Sequence, residues 1–358
     1  MNNSTKELID PIALTRQLVA IESTTYYEGV CSAFLRDFLT SAGWEVETMP
    51  VETPEHVKAS GKSLDELGGP RFNVYAVAKG VTPEVVFSTH FDTVPPHMEL
   101  SEDEDYLYGR GSCDAKGILA AQVAAADRLR AEGIDVGMLF VVGEERDSAG
   151  AHVANKNPKG SKYLINGEPT DNRLALGTKG ALRVELRAKG KMAHSAYPEL
   201  GESATHKLLE VLHDLLHLEL PVDPEIGPAT LNVGVIQGGH APNVIADKAE
   251  AQVLIRLVGP SDVVKKMVID TVGDRAEVAF TLDLSFVRLR KVEGIPGLET
   301  MVAKYATDIP SLTNWGEPLL LGPGSIHVAH TPDERLSKKE LVECVGLYVE
   351  LVKKLVQR

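Results

Sequence analysis

Val85-Val86-Phe87-Ser88-Thr89-His90-Phe91-Asp92-Thr93-Val94-Pro95 and Met138-Leu139-Phe140-Val141-Val142-Gly143-Glu144-Glu145-Arg146-Asp147 decide how this chain folds. Each is an apolar run that ends in imidazole or carboxylate groups. Such runs read as strands buried on both faces of a parallel sheet. The ends of those strands are where open α/β sheets place their active sites. A core has no use for clustered imidazole and carboxylates unless they bind a cation, because unpaired buried charge is costly. The pattern points to a divalent metal.

Working outward, Asp10-Pro11 has the form of a helix N-cap followed by proline at the first helical position. Val30, Phe34, Leu35, Phe38 and Leu39 make one apolar helical face that stops at Gly43. Trp44 to Met49, Phe72 to Ala78, Val85 to Ser88, Val136 to Val142 and Tyr163 to Asn166 read as strands. Glu52 to Pro70 reads as a polar surface loop, and Ile118 to Leu129 as an alanine-rich helix. Alternation on this scale predicts an α/β fold, a mostly parallel sheet flanked by helices. After Thr178 the texture changes. Ala181 to Ala188, Leu231 to Ile236, Ala249 to Val258 and Ala276 to Leu284 read as strands, with helices over Ser203 to Leu218 and Ser261 to Val272. That β-α-β-β-α-β order is the ferredoxin-like unit, an α+β lid inserted into the first domain. A strand over Pro318 to Leu321 and a final helix opening at Ser337-Lys338-Lys339-Glu340, a capping-box form, return to the first texture. Leu341, Val345, Tyr348 and Val352 are the expected buried stripe of that helix. The expected division is a catalytic domain over 1–177 and 291–358, with the lid over 178–290.

A chain of 358 residues is long for one core, which agrees with two domains. Its 37 basic and 51 acidic side chains give a net charge of −14, the wrong sign for a phosphate backbone, so no nucleic-acid partner is expected. No apolar run approaches the roughly 18 residues that would cross a bilayer, and Met1 to Ile9 lacks the apolar centre of a secretory signal. Cys31, Cys113 and Cys344 are too few and scattered for a disulfide framework or zinc knuckle. The expectation is a cytoplasmic enzyme with no membrane partner.

The candidate ligands are His90, Asp114, Glu145, Glu168 and His330, with Asp92 and Glu144 beside them. Any one alone is unremarkable; their recurrence at successive element ends is not. Here the chain resembles the di-zinc metallopeptidases and deacylases, the family of acetylornithine deacetylase, succinyl-diaminopimelate desuccinylase, aminoacylase and glutamate carboxypeptidase, whose catalytic domain is zinc-exopeptidase-like. The resemblance runs nearly end to end. It rests on His90-Phe91-Asp92-Thr93-Val94-Pro95, Gly109-Arg110-Gly111-Ser112-Cys113-Asp114-Ala115-Lys116-Gly117, Glu144-Glu145 and Glu168-Pro169. Leu321-Gly322-Pro323-Gly324-Ser325 and Ala329-His330-Thr331-Pro332-Asp333-Glu334 complete it.

The resemblance implies two zinc ions, with cobalt or manganese as substitutes. Asp114 bridges them, His90 and Glu168 complete one site, and Glu145 and His330 the other. It makes Asp92 the partner of the His90 imidazole N–H, Glu144 the general base and His194 the oxyanion partner, reaching across a homodimer formed through the lid. It also implies that Arg256 and Asn243 hold a substrate carboxylate, and that the Asp114–Ala115 peptide is cis. His213 and His217 have i, i+4 metal spacing, but no carboxylates converge there, so they and His206 read as a solvated or dimer-packing face. The closing motif selects His330 over His327. Cys113 lacks a histidine neighbour and reads as packing. The expected activity is deacylation of a small N-acyl amino acid, with the closing segment nearest to acetylornithine deacetylase. Thr307-Asp308-Ile309-Pro310 departs there from a Thr-Glu-Ala-like segment. A carboxypeptidase or dipeptidase with the same metal centre is the alternative, and a non-catalytic binding homologue a remote one.

Overall fold

The structure is a computed structural model that describes residues 8–58 and 68–357. Residues 1–7 and residues 59–67 of the expected 52–70 loop lie outside the described residues; within that loop, Glu55–Lys58 forms one short helical turn. The chain divides into two compact units. One comprises Met1–Ala175, Leu289–Met301 and Thr307–Arg358; the other comprises Leu176–Arg288 and Val302–Ala306.

The first unit is built on a six-stranded sheet: β1 (Glu45–Pro50), β2 (Phe72–Val77), β3 (Val85–His90), β4 (Gly137–Val141), β5 (Tyr163–Asn166) and β6 (Glu317–Leu320). Its spatial order is β1-β2-β4-β3-β5-β6. The strands β4, β3, β5 and β6 are parallel, as their unbroken apolar runs predict. The β1 and β2 strands join antiparallel, so the sheet is mixed. Hydropathy sets burial and not strand direction, so the sequence pattern alone does not distinguish the two arrangements.

Register aligns the strand ends that matter. His90 lies opposite Val141, and Ser88 opposite Asn166, so β3, β4 and β5 finish at one edge. The helix Lys116–Ala131 is buried nearly all round, which its alanines permit by allowing close approach on every side. The helix Lys338–Val356 starts with the Ser337 hydroxyl accepting from Glu340 N at 3.3 Å. It buries the expected stripe Leu341, Val345, Tyr348 and Val352. At the other end of the chain, Asp10 caps Pro11–Val19 through Ile12 N.

The helix Gly29–Ser41 differs from expectation. It buries Cys31, Leu35 and Leu39, leaving Phe34 and Phe38 half-buried and Val30 51% exposed. Phe34 and Phe38 still pack against the same core as Leu35 and Leu39, so Val30 is the one residue of the expected face turned out. A Cβ on Gly29 would stand 2.2 Å from the Gly68 carbonyl oxygen, so the helix start lies close on that backbone.

The second unit has the expected β-α-β-β-α-β order. Its four antiparallel strands lie in the order Thr230–Gly238, Lys248–Leu257, Gly180–Lys189, Glu277–Leu284. Leu182, Val184 and Leu186 alternate inward against Ala251, Val253 and Ile255. Leu208, Val211, Leu212 and Leu215 of Ala204–Leu216 cover them, joined by Val264, Val268 and Val272 of Ser261–Val272. Each buried leucine or valine there contributes roughly 1.5–3 kcal/mol.

Candidate metal centre

His90 is the last residue of β3, and Glu144 and Glu145 follow the turn that leaves β4. Glu168 lies two residues beyond β5. Asp114 comes from the turn that opens Lys116–Ala131, and its peptide bond to Ala115 is cis. That turn is held by one buried carboxylate. Glu334 Oε1 accepts from Gly111 N (2.9 Å), Asp114 N (3.1 Å) and Cys113 N (3.2 Å), while Oε2 accepts from the Arg110 guanidinium. Arg110 and Glu334 are both buried. Replacing Glu334 by alanine strands a buried guanidinium and three N–H groups, so the expected cost is about 3–5 kcal/mol. Denaturant unfolding measures that cost, and Glu334→Gln, which keeps an acceptor for the N–H groups, should lose less.

The two oxygens of Asp114 face two different histidines. Oδ1 lies 3.0 Å from His90 Nε2, and Oδ2 lies 3.3 Å from His330 Nε2. Glu168 Oε2 stands 3.9 Å from the same His90 nitrogen, while Glu145 Oε1 is 2.9 Å from His330 Nε2. The five candidate ligands thus form two half-sites sharing one carboxylate: His90 and Glu168 on one side, Glu145 and His330 on the other. Donor atoms of His90, Asp114 and Glu145 all lie within 4.8 Å of one another. Glu168 Oε1 is buried with no hydrogen-bond partner. His330 adopts φ 63°, unusual for a residue other than glycine and common where backbone strain serves a site. Nitrogen and carboxylate donors of this kind suit a divalent cation such as zinc.

Asp92 acts differently from expectation. The Nδ1 of His90 lies 2.9 Å from the main-chain oxygen of Asp92 and 3.6 Å from its carboxylate. The chain bends just after β3, which turns that carbonyl back onto the ring. The carboxylate is engaged elsewhere, accepting from Thr25 Oγ1 (2.8 Å), Glu144 N (3.0 Å) and Glu145 N (3.2 Å). It therefore positions the backbone of Glu144 and Glu145, while its carbonyl orients His90.

The electrostatics call for cations. Burial pushes Glu144 well above the usual carboxylate range, and Asp308, Glu145 and Asp114 add to it against the pull of His90. Burial also raises Glu168, with Glu144, Asp114 and Asp308 reinforcing the shift. The bonds to Asp114 and Glu145 raise His330 to about 10. Burial opposes a charge on His90, yet Asp114 and Asp92 hold its pKa well above the ordinary histidine value. A site that draws protons onto two histidines favours any cation placed among these carboxylates.

Arg71 and Glu28 escape the sequence reading, and Asp308 is noted there only as a departure from a family segment. Arg71, at the head of β2, pairs with Glu28 at 3.0 Å with both side chains buried, and its guanidinium lies 5.2 Å from the Tyr26 ring centroid. Asp308 is buried beside the carboxylates, and burial lifts it to about 6. Nothing local marks Arg71 and Glu28, because their meaning comes from tertiary neighbours.

His194, Asn243 and Arg256 belong to the second unit. His194 is exposed and bridges to Val244, and Ser195 N donates to Asn243 O at 3.0 Å, so His194 and Asn243 are neighbours. Arg256 sits near the far end of Lys248–Leu257, about 26 Å along the strand from Lys248 at the usual rise. One copy of the unit does not bring Arg256 to Asn243. The His213 and His217 ring centroids lie 4.4 Å apart with the rings tilted by 42°, His217 Nδ1 bonds the His213 carbonyl, and among the described residues no metal-binding group includes them. Burial lifts the Cys113 thiol well above its ordinary value, in keeping with its reading as packing.

The family model of Peptidase family M20/M25/M40 matches residues 86–354. A Peptidase M20 domain-containing protein of Schizosaccharomyces pombe is 38% identical over 355 residues, covering 95% of this chain and 84% of that protein. A probable carboxypeptidase of Aspergillus fumigatus is 35% identical over 396 residues, covering 97% of this chain and 87% of that protein. The crystal structure of a tripeptidase from Staphylococcus aureus superposes with a TM-score of 0.76 at 20% identity, covering 96% of this chain and 98% of that one, a likeness of fold.

Proposed function

The chain belongs to peptidase family M20/M25/M40 and is a hydrolase of that family, and from that premise we propose that it cleaves an amide whose amine side is an amino acid with a free α-carboxylate. Deacylation of a small N-acyl amino acid and removal of a carboxy-terminal residue are both this reaction, differing only in the acyl side. The closing segment around Gly322 to Ser325 and His330 supports the acetylornithine deacetylase-like form. The probable carboxypeptidase at 35% identity supports the other. The observation that carries the proposal is Asp114, whose two oxygens divide between His90 and His330.

Two divalent ions held by His90, Asp114, Glu145, Glu168 and His330, zinc by their donor set, would supply Lewis acidity to the carbonyl and acidify a water. Glu144 takes the proton of the attacking water and returns it to the departing amine nitrogen. Its raised proton affinity suits a group that must hold that proton between the two events. His194 donates to the developing oxyanion, and Arg256 and Asn243 bind the α-carboxylate. Arg256 and Asn243 lie apart in one copy, which favours their acting from different copies. The buried free cysteines suit a cytoplasmic setting, and among the described residues no helix is long and apolar enough to cross a membrane.

The test is hydrolysis of N-acetyl and N-succinyl amino acids beside dipeptides and N-blocked dipeptides, with zinc-loaded and chelator-treated enzyme. Metal-dependent release of a free amino acid is expected. Metal binding without turnover of any of them would favour a binding homologue.

The partner proposed for the second unit is another copy. Thr230–Gly238 is an edge strand, with Val235 40% and Ile236 56% exposed, and Leu209 and Leu216 project from Ala204–Leu216. An apolar edge of this kind is a template for strand pairing. Ile236→Glu is expected to convert a dimer to a monomer in light scattering, leaving metal content unchanged; a wild-type monomer would refute the proposal.

A further inference from the structure

Lys116 is fully buried, and none of the chemistry above uses its amine. It is the first residue of the helix Lys116–Ala131, two residues after Asp114. Its Nζ donates to the Ile21 carbonyl at 2.5 Å; among the described residues it meets no other acceptor and no carboxylate at ion-pair distance. Burying an amine for one carbonyl bond is costly, and an apolar side chain of the same length would fill the space without that cost. The stem of Lys116 threads the Asp114 turn beside the turn after β3. A Cβ on Gly111 would stand 2.9 Å from Lys116 Cδ and 2.9 Å from Thr93 Cγ2.

The carbonyl that Lys116 holds begins a strap, Ile21–Thr25, which lies along the residues that follow β3. Ser23 Oγ donates to Phe91 O at 2.6 Å, Thr93 N donates to Ser23 O at 3.0 Å, and Thr25 N donates to Thr93 O at 3.2 Å. Thr25 Oγ1 donates to Asp92 Oδ2 at 2.8 Å. Asp92 in turn receives the N–H groups of Glu144 and Glu145. A series of bonds therefore runs from Lys116 to the main chain of Glu144. The strap is irregular apart from one bridge, Thr24 to Thr93, so its course depends on the groups that hold its two ends.

We infer that Lys116 and Thr25 are positioning residues for Glu144, Lys116 anchoring one end of the strap and Thr25 applying the other to Asp92. This rests on the reading of Glu144 as the base and deepens it by naming what fixes that base. A base set slightly off its line of attack loses a large factor in rate, because the reacting atoms must meet within a narrow range of distance and angle.

The test compares zinc-loaded wild type with Lys116→Met, Thr25→Val, their double variant and Thr25→Ser. Lys116→Met and Thr25→Val are each expected to lower kcat by about tenfold to hundredfold, with KM and metal content near wild type. Thr25→Ser keeps the hydroxyl and should recover most of that loss. The double variant should lose no more than the worse single one, since both break one series of bonds, whereas independent sites would multiply their losses. Multiplied losses, a rise in KM in place of the fall in kcat, or no recovery with serine would each overturn the inference.

Amide hydrogen exchange, read by mass spectrometry, needs no substrate. Lys116→Met and Thr25→Val are expected to speed exchange about tenfold in the segments that carry Asp92 and Glu144, the effect of losing one hydrogen bond, and to leave Lys338–Val356 unchanged. Unchanged exchange in those two segments, or faster exchange throughout the protein, would equally overturn it. If wild type hydrolyses none of the amides, the hydrolase reading fails, and the positioning inference is decided by exchange alone. Should Lys116→Met fail to fold, the two Thr25 variants carry both measurements.

Discussion

Glu144→Gln is expected to lower kcat by about 10²- to 10⁴-fold, the usual contribution of a positioned general base, while the protein still binds its full complement of metal. The two effects separate because of how the turn after β4 is built. The Glu144 N–H donates to Asp92 Oδ1 at 3.0 Å and the Glu145 N–H to Oδ2 at 3.2 Å, so the main chain carries both residues to the site whatever the Glu144 side chain is. Glu145 meets His330 through its own carboxylate. Glutamine matches glutamate in size and relieves the crowding of negative charge that Asp308, Glu145 and Asp114 impose on position 144. It cannot accept and return a proton. Metal analysis of the purified variant beside its steady-state kinetics decides the matter. A kcat within tenfold of wild type would remove Glu144 from the base role, and a fall in metal content would make it a ligand.

Asp92→Asn separates backbone positioning from ligation in the same turn. The His90 Nδ1 partner at 2.9 Å is the Asp92 carbonyl, which asparagine keeps. The carboxylate that receives Thr25 and the two turn N–H groups is what changes. A loss of kcat with retained metal is therefore the expected result.

What could be read from the chain alone follows from where each signal resides. The strands β3, β4 and β5 announce themselves because a run such as Met138 to Val142 has no use outside a covered sheet, and His90, Glu145 and Glu168 stand at their ends. Strand direction carries no such mark, so the antiparallel entry of β1 and β2 was not legible. The apolar face of Gly29–Ser41 was legible except at Val30, and the close approach of Gly29 to the Gly68 carbonyl is a contact that hydropathy does not register. Asp308 was visible as a departure from a family segment, but its burial depends on the fold around it. Arg71 adjoins Pro70 with no motif around it, and only the fold brings it to Glu28. Asn243 and Arg256 looked like one subsite, yet a ten-residue strand stands between them.

Stripping both metal ions with a chelator is expected to lower the melting temperature by about 15–30 °C. Each ion at a thousandfold excess over its dissociation constant stabilises the folded state by about 4 kcal/mol, and in a domain of this size 1 kcal/mol moves the midpoint by roughly 2–4 °C. The gap should widen with pH. His330 has a folded value raised from 6.5 to about 10 by Asp114 and Glu145. In the stripped protein its bonds stabilise the fold fully below pH 6.5, and that contribution is lost as pH rises through about 10. Metal must displace the same proton, so its binding strengthens over the same window. Asp114→Asn removes the carboxylate that both half-sites share and should abolish most of the metal-dependent gap, whereas Glu168→Gln touches one half-site and should keep part of it. Melting scans at pH 6.5 and 9, with and without chelator, read all of this. A gap that stays constant with pH would mean that His330 is not displaced by metal. An Asp114→Asn protein with an undiminished gap would mean that the ions lie elsewhere.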